Sequence, residues 1–348
     1  MNNSKFIGFG TFLPGEPITN SVMEEIFRIR KDWIEEMIGT KTRYFATDFY
    51  EKEIRYSLTD ICKNAAQIAI EDAGIQAEEI DLIVMSTATP DHIMPATVNL
   101  VANELGLNNI PTYQVQSGCS GALQGLEVAY QFLASGKYHN ALVIGGDVCN
   151  KYLDLDRDFT KLRAHELINY ALFGDGAGAA VLSTSTEKEG IKIENIINRF
   201  EGLDRIPGQI MNWFGVIPEK SHDMNPRERR KNFQSAKEDY KAIEQNVPVM
   251  AEQVLNELLE KGERYREDID FYLPPQLGGN MTNKINEYLN IPQEKGVNCV
   301  ENTGNNGNAL PYIQLNLLKE RMSKGDTAVV IAIESSKWIK TGMTLVKE

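Results

Sequence analysis

The stretch ALQGLEVAYQFLASGKYHNALVIGGD (Ala122–Asp147) has a counterpart in ALPYIQLNLLKERMSKGDTAVVIAIES (Ala309–Ser335). Both run Ala-Leu, an amphipathic helix, a Gly turn, and then a strand of Ala, Val and Ile. In the first copy Leu123, Leu126, Ala129 and Leu133 make one apolar stripe at helical spacing, and Gly136 follows as a C-cap. A second echo lies upstream of each, IDLIVMSTATP (Ile80–Pro90) against IDFYLPPQ (Ile269–Gln276), each opening after a polar helix end. Matched order and spacing point to an internal duplication with its boundary near Ser183–Gly190.

Working outward, KFIGFG, TYQVQS and GAAVLSTS read as further strands of the first half. GIKIENIINRF, VNCVEN and GMTLVKE read as further strands of the second. Helical spacing covers 58–73 and 96–105 before the duplication boundary, and 247–261 and 282–289 after it. Such alternation predicts an α/β chain with a largely parallel sheet under covering helices. The expected division is 1–185 and 186–348, with a polar insertion around 200–241. That insertion contains PRERRKNFQ and reads as a lid or binding loop.

Composition narrows the function. The 348 residues carry 36 Lys plus Arg against 49 Asp plus Glu, a net charge of −13, which repels phosphate backbones and argues against nucleic acid. No apolar run approaches the roughly 18 residues of a membrane span, and the N-terminus lacks a signal peptide's apolar stretch, so a soluble, cytoplasmic protein is expected. The four cysteines and four histidines share no metal-ligand spacing, and no metal or cofactor is expected. FGDGAGAAV (Phe173–Val181) is not a dinucleotide fingerprint, because a strand rather than a helix follows its glycines, and no P-loop motif occurs.

The strongest chemical signal is YQVQSGCSGALQGLEVAY around Cys119. A strand ending in Ser-Gly-Cys-Ser-Gly and running into a helix sets the sulfur at a tight turn beside a helix N-terminus. Gly118 and Gly121 permit the turn and leave space for a substrate. The positive helix end favours thiolate over thiol, as a sulfur nucleophile requires. A buried packing cysteine is the alternative, but packing needs no glycine flanks. Cys62 and Cys299 read as core residues.

SGCSGALQGL, FGDGAGAAVL and ENTGNNGNALP (Glu301–Pro311) together resemble ketoacyl-acyl-carrier-protein synthase III, the chain-initiating branch of the thiolase superfamily. The likeness runs over nearly the whole chain, including DWIEEMIGTKTRYFA (Asp32–Ala46). It implies a thiolase-like five-layer αβαβα fold of two duplicated α/β halves, in a homodimer or a heterodimer. It also implies an acyl thioester formed on Cys119 from acyl-CoA or an acyl carrier protein. Asn305 falls at the family's asparagine in a loop one residue short, with Asn306 as second candidate. The family's Pro-His-Gln reads here Pro274-Pro275-Gln276, so Pro275 stands where a histidine would polarise the extender. His92, His165 and His222 are conceivable stand-ins.

Other positions carried over by the resemblance concern the acyl donor. Trp33 matches the residue that stacks on the CoA adenine, while Met37 and Leu167 stand where arginines are expected. Lys220, Arg227, Arg229, Arg230 and Lys231 could instead meet an acidic carrier protein. Met94 matches the partner-capping loop, Cys149 the acyl tunnel, and Ser336 the C-terminal turn that helps form the oxyanion pocket, where Glu334 adds bulk and charge. The resulting expectation is an acyltransferase, or 3-oxoacyl synthase-like enzyme, of fatty-acid-like or polyketide metabolism. Its acceptor is a heteroatom or a malonyl-type extender. The alternative is a catalytically silent subunit paired with an active paralogue.

Overall fold

The computed structural model describes residues 3–151, 153, 155–156, 158–162, 164–211 and 236–348. The basic cluster and His222 lie outside these residues, as does the side chain of His165. Eleven strands are numbered here. They are β1 (Lys5–Phe12), β2 (Leu82–Thr87), β3 (Thr112–Gln116), β4 (Asn140–Asp147), β5 (Gly176–Ser183), β6 (Ile191–Phe200), β7 (Gln209–Met211), β8 (Ala236–Glu238), β9 (Phe271–Leu273), β10 (Thr327–Glu334) and β11 (Ile339–Lys347). All but β7 and β8 join one nine-stranded mixed sheet in the order β9-β10-β11-β6-β1-β5-β4-β2-β3.

The duplication is visible in that order. From the centre outward one half reads β1-β5-β4-β2-β3 and the other β6-β11-β10-β9, with matching senses. β1–β5 and β6–β11 are antiparallel, as are β4–β5 and β10–β11, whereas β2–β4 and β9–β10 are parallel. Where β3 completes the first half, the second has only an isolated bridge from Tyr272 to Gly296.

The helices are α1 (Asn20–Phe27), α2 (Lys31–Met37), α3 (Leu58–Ala73), α4 (Thr97–Glu104), α5 (Gly121–Ala134), α6 (Ala164–Leu172), α7 (Tyr240–Lys261), α8 (Gly279–Tyr288), α9 (Val300–Thr303) and α10 (Leu310–Lys319). The duplicated helices α5 and α10 form the middle layer. Leu123, Leu126, Ala129 and Leu133 of α5 and Tyr312, Leu315 and Leu318 of α10 share one core with strands of both halves. Strand alternation assigns the faces. Leu82 and Val84 turn to this core, Ile83 and Met85 to the outer layer of α3 and α4. Val329, Ile331 and Ile333 of β10 likewise turn outward, onto α7 and α8. Five layers result, and strands buried on both faces explain the unbroken apolar runs.

The glycines of KFIGFG let α3 lie directly on β1: a Cβ at Gly10 would stand 2.1 Å from the Ala65 carbonyl oxygen. The stretch VNCVEN is not a strand. Gln276 Oε1 accepts from the N–H groups of Cys299 and Val300, and the chain turns into α9. Helix α7 starts at Tyr240, well before 247, because the Asp239 carboxylate caps it through the Ala242 N–H. Part of the insertion is regular, with β7 and β8 pairing antiparallel.

Candidate active site

Strand β3 ends at Gln116, and a Gly121 N–H to Gly118 carbonyl bond of 2.9 Å closes the turn that carries Cys119 to the start of α5. The half-buried Cys119 lines a cavity of about 20 Å³ with Pro275, Leu277, Gly307, Pro311 and Ala332. That is room for about one water.

The two flanking glycines make space for side chains of the protein rather than for a substrate. A Cβ at Gly118 would meet Glu334 Oε2 at 2.4 Å, and one at Gly121 would meet Asn308 Oδ1 at 2.2 Å. Glu334 is 1% exposed and accepts from the N–H of Ser336 at 3.0 Å and of Ser120 at 3.5 Å. A carboxylate of the chain thus occupies the helix end that the sequence reading reserved for the sulfur.

This reverses the expectation of a resting thiolate. Burial pushes the Cys119 thiol up, and the negative charges of Glu334, Asp147 and Glu238 push it further. The helix end is already neutralised by Glu334, so its dipole has little left to offer the sulfur. Burial also pushes up the Glu334 carboxyl, against the pull of the Ser336 N–H.

The Asn305 loop approaches from the N-terminal end of α10. The Asn305 N–H donates to the Leu172 carbonyl at 2.9 Å, and its carbonyl accepts from Gly174 at 3.1 Å. Its side-chain amide donates to the Leu277 carbonyl at 3.1 Å, while Oδ1 accepts from the Gly307 N–H at 3.1 Å. Because Leu277 and Gly307 line the Cys119 cavity, Asn305 braces its wall. Asn306 is spent on the carbonyls of Asp175 and Thr303, and its Oδ1 has no partner.

The sequence reading missed the residue that ties these loops together. Asp147, 1% exposed, accepts from Thr87 Oγ1, the Ala88 N–H and Thr89 Oγ1, and from both the backbone and side-chain amides of Asn308. Asn308 Nδ2 also donates to the Ser117 carbonyl at 2.9 Å, so one carboxylate and one amide fix the cysteine turn against the asparagine loop. The GGD ending of β4 and the last Asn of NNGN were the available signals.

The other expected positions scatter. The Ser336 N–H is engaged by Glu334 and is not free as an oxyanion donor. Cys149 is half-buried, its thiol raised by burial, by Asp147 and Asp175, and by Cys119. Trp33 and Leu167 pack partly buried in one cluster around Phe27 and Phe45, while Met37 is 64% exposed. Met94 is 86% exposed on a loop with exposed His92, and neither lines the Cys119 cavity. Cys62 and Cys299 are core residues. Among the described residues no His, Cys, Asp and Glu cluster could hold a metal ion, and no helix is long and apolar enough to cross a membrane.

Residues 113–198 match the sequence profile of 3-oxoacyl-[acyl-carrier-protein (ACP)] synthase III, and residues 259–335 match its C-terminal profile. The chain is 30% identical over 335 residues to a β-ketoacyl-[acyl-carrier-protein] synthase III of Clostridium perfringens, covering 95% of each chain. It is 33% identical over 331 residues to one of Rickettsia canadensis, covering 94% of this chain and 95% of that one. Among solved structures, AbyA1, a tetronic acid condensing enzyme, superposes with a TM-score of 0.91 at 41% identity over 99% of both chains. The 3-oxoacyl-[acyl-carrier-protein] synthase III of Aquifex aeolicus superposes with a TM-score of 0.80 at 26% identity over 99% of both. With two duplicated halves, a cysteine turn at the first central helix and an asparagine loop at the second, the chain belongs to the β-ketoacyl-[acyl-carrier-protein] synthase III family.

Proposed function

We propose that the protein is a condensing acyltransferase that takes an acyl group from a carrier thioester onto Cys119 and passes it to a second substrate. The observation that carries this is the meeting of the Cys119 turn and the Asn305 loop at one small cavity between the central helices. Pro275 shares that cavity and offers no group to carry a proton, which counts against simple decarboxylation of a malonyl thioester. The likeness to AbyA1 suggests how transfer to a heteroatom and condensation at carbon can both occur. A tetronic acid is an enolised five-membered lactone, so its assembly by condensation calls for one ester C–O bond and one C–C bond. We read the acceptor as a 2-hydroxyacyl thioester. Its hydroxyl would take the acyl group from Cys119, and the acyl α-carbon would then close on the hydroxyacyl carbonyl.

Intact mass of the protein after incubation with 3-oxoacyl thioesters of CoA and of an acyl carrier protein tests the first half. An adduct absent from Cys119→Ala is expected, and the productive donor identifies the carrier. Addition of a 2-hydroxyacyl-carrier thioester should then discharge the adduct into a product free of both carriers. No adduct from folded protein would overturn the reading in favour of a silent subunit, which the enzyme names of the relatives above do not support. We also read the exposed Ile93–Met94 loop as capping the site of a second copy in a homodimer, which light scattering in solution would test.

A further inference from the structure

The site described so far has a nucleophile without a proton carrier. Pro275 cannot serve, and no histidine side chain among the described residues lines the cavity. The Asp147 carboxylate is saturated by the donors of Thr87, Ala88, Thr89 and Asn308. Glu334 has both oxygens on backbone N–H groups.

Glu238 is different. It ends β8, in the insertion, and its neighbour Asp239 donates its N–H to the Gly208 carbonyl at 2.7 Å. The Gly208 N–H in turn donates to the Ser335 carbonyl at 3.0 Å. The insertion is thereby stitched to the turn whose Glu334 flanks Gly118 and Ser120, and the negative charge of Glu238 acts on both Cys119 and Cys149. Glu238 Oε1 accepts from Gln209 Nε2 at 2.7 Å, whereas Oε2 is buried with no hydrogen-bond partner among the described residues. The Tyr240 hydroxyl lies nearby but donates to Asn169 Oδ1 at 2.8 Å. While the Tyr240 proton is given to Asn169, the buried Oε2 is left without a donor of its own, a costly state that a hydroxyl from outside the chain would relieve. Burial pushes its carboxyl up, which favours uptake of a proton.

We propose that Glu238 Oε2 receives the hydroxyl of the acceptor and takes its proton during transfer from Cys119. The inference rests on the acyl-enzyme reading above. As the hydroxyl oxygen bonds to the thioester carbon, its proton passes to Glu238 and the carbon–sulfur bond breaks. The departing Cys119 sulfur then recovers that proton from the carboxylic acid. Oxygen–carbon replaces sulfur–carbon, thiol and carboxylate are both restored, and no other reactant is consumed. The insertion thus supplies from a different part of the fold the proton chemistry that Pro275 lacks.

The test is Glu238→Gln, which keeps the shape and the Gln209 contact side. Acylation of Cys119 by a 3-oxoacyl-carrier thioester, followed by intact mass, should be no slower than in wild type, because loss of the Glu238 charge can only ease ionisation of the thiol. Discharge by a 2-hydroxyacyl-carrier thioester should slow about 10²-fold or more, as removal of a general base does. Glu238→Ala should recover part of that rate with added formate, a readout that loss of packing would not give. An adduct that Glu238→Gln discharges as fast as wild type would overturn the role of Glu238 alone, as would a variant with wild-type folding that never acylates. Absence of an adduct on the wild-type protein would overturn the acyl-enzyme reading first, and this one with it.

Discussion

Replacing Glu334 with Gln should make Cys119 more reactive. The carboxylate stands against Gly118 and accepts from the Ser120 N–H, one residue to either side of the sulfur. Gln keeps an oxygen for the Ser336 N–H while removing the charge that heads the electrostatic contributions raising the thiol. For unit charges about 6 Å apart at an effective dielectric of about 20, the repulsion is about 3 kcal/mol. Relief on that scale multiplies the thiolate population about a hundredfold. A thiolate of lower pKa is also a weaker nucleophile, with a Brønsted slope near 0.5, so about tenfold survives as rate. The assay is iodoacetamide alkylation at pH 7 with peptide mapping of Cys119, wild type beside Glu334→Gln, both checked for equal thermal stability. An unchanged or slower rate would refute the reasoning, because Glu334 would then be carrying a proton at neutral pH or acting on the sulfur too weakly to govern it.

Three further outcomes follow from the same geometry. Asp147→Ala leaves the donors of Thr87, Ala88, Thr89 and Asn308 buried and unpaired, and should cost about 3–5 kcal/mol in urea unfolding, with the slope unchanged. Gly145→Ala would put its Cβ 2.2 Å from the Asn308 carbonyl oxygen and 2.6 Å from the Tyr312 ring, so a loss of at least about 2 kcal/mol is expected, read as a shifted urea midpoint. Burial pushes the Asp175 carboxyl from 3.8 up to about 6, so between those values the folded chain holds a proton that the unfolded chain has released. Its contribution is therefore present below about pH 4 and lost as the pH rises through about 6, up to about 3 kcal/mol, and Asp175→Asn should flatten that part of the stability profile while lowering stability throughout.

The duplicated halves could be read from sequence because their signals are local. Ile80–Pro90 and Ile269–Gln276 became the equivalent strands β2 and β9 of the two halves, and the Ala122 and Ala309 segments became the two central helices with their following strands. VNCVEN failed because a side chain 23 and 24 residues away, Gln276, takes the N–H groups that a strand would offer to a neighbour. The cysteine turn was legible for the same local reasons as the helices, but its charge state was not. Glu334 reaches Ser120 across 214 residues and Asp147 reaches Asn308 across 161, and no pattern near Cys119 reports either. Glu238 was hidden differently, inside a stretch whose polarity reads as loop until β7 and β8 pair and turn one carboxylate inward.

The cavity lies where the N-terminal ends of two equivalent helices meet, and this has an evolutionary reading. A dimer of identical single halves would bring two copies of one loop together across a two-fold axis, each constrained to carry the same residues. Joining the copies into one polypeptide lifts that constraint. One loop is then free to keep a sulfur at Cys119 while the other acquires an amide at Asn305, and a symmetric seam becomes a site with two different sides. A further consequence is that neither copy alone can hold the proposed reaction, so that chemistry would exist only once both have folded against each other.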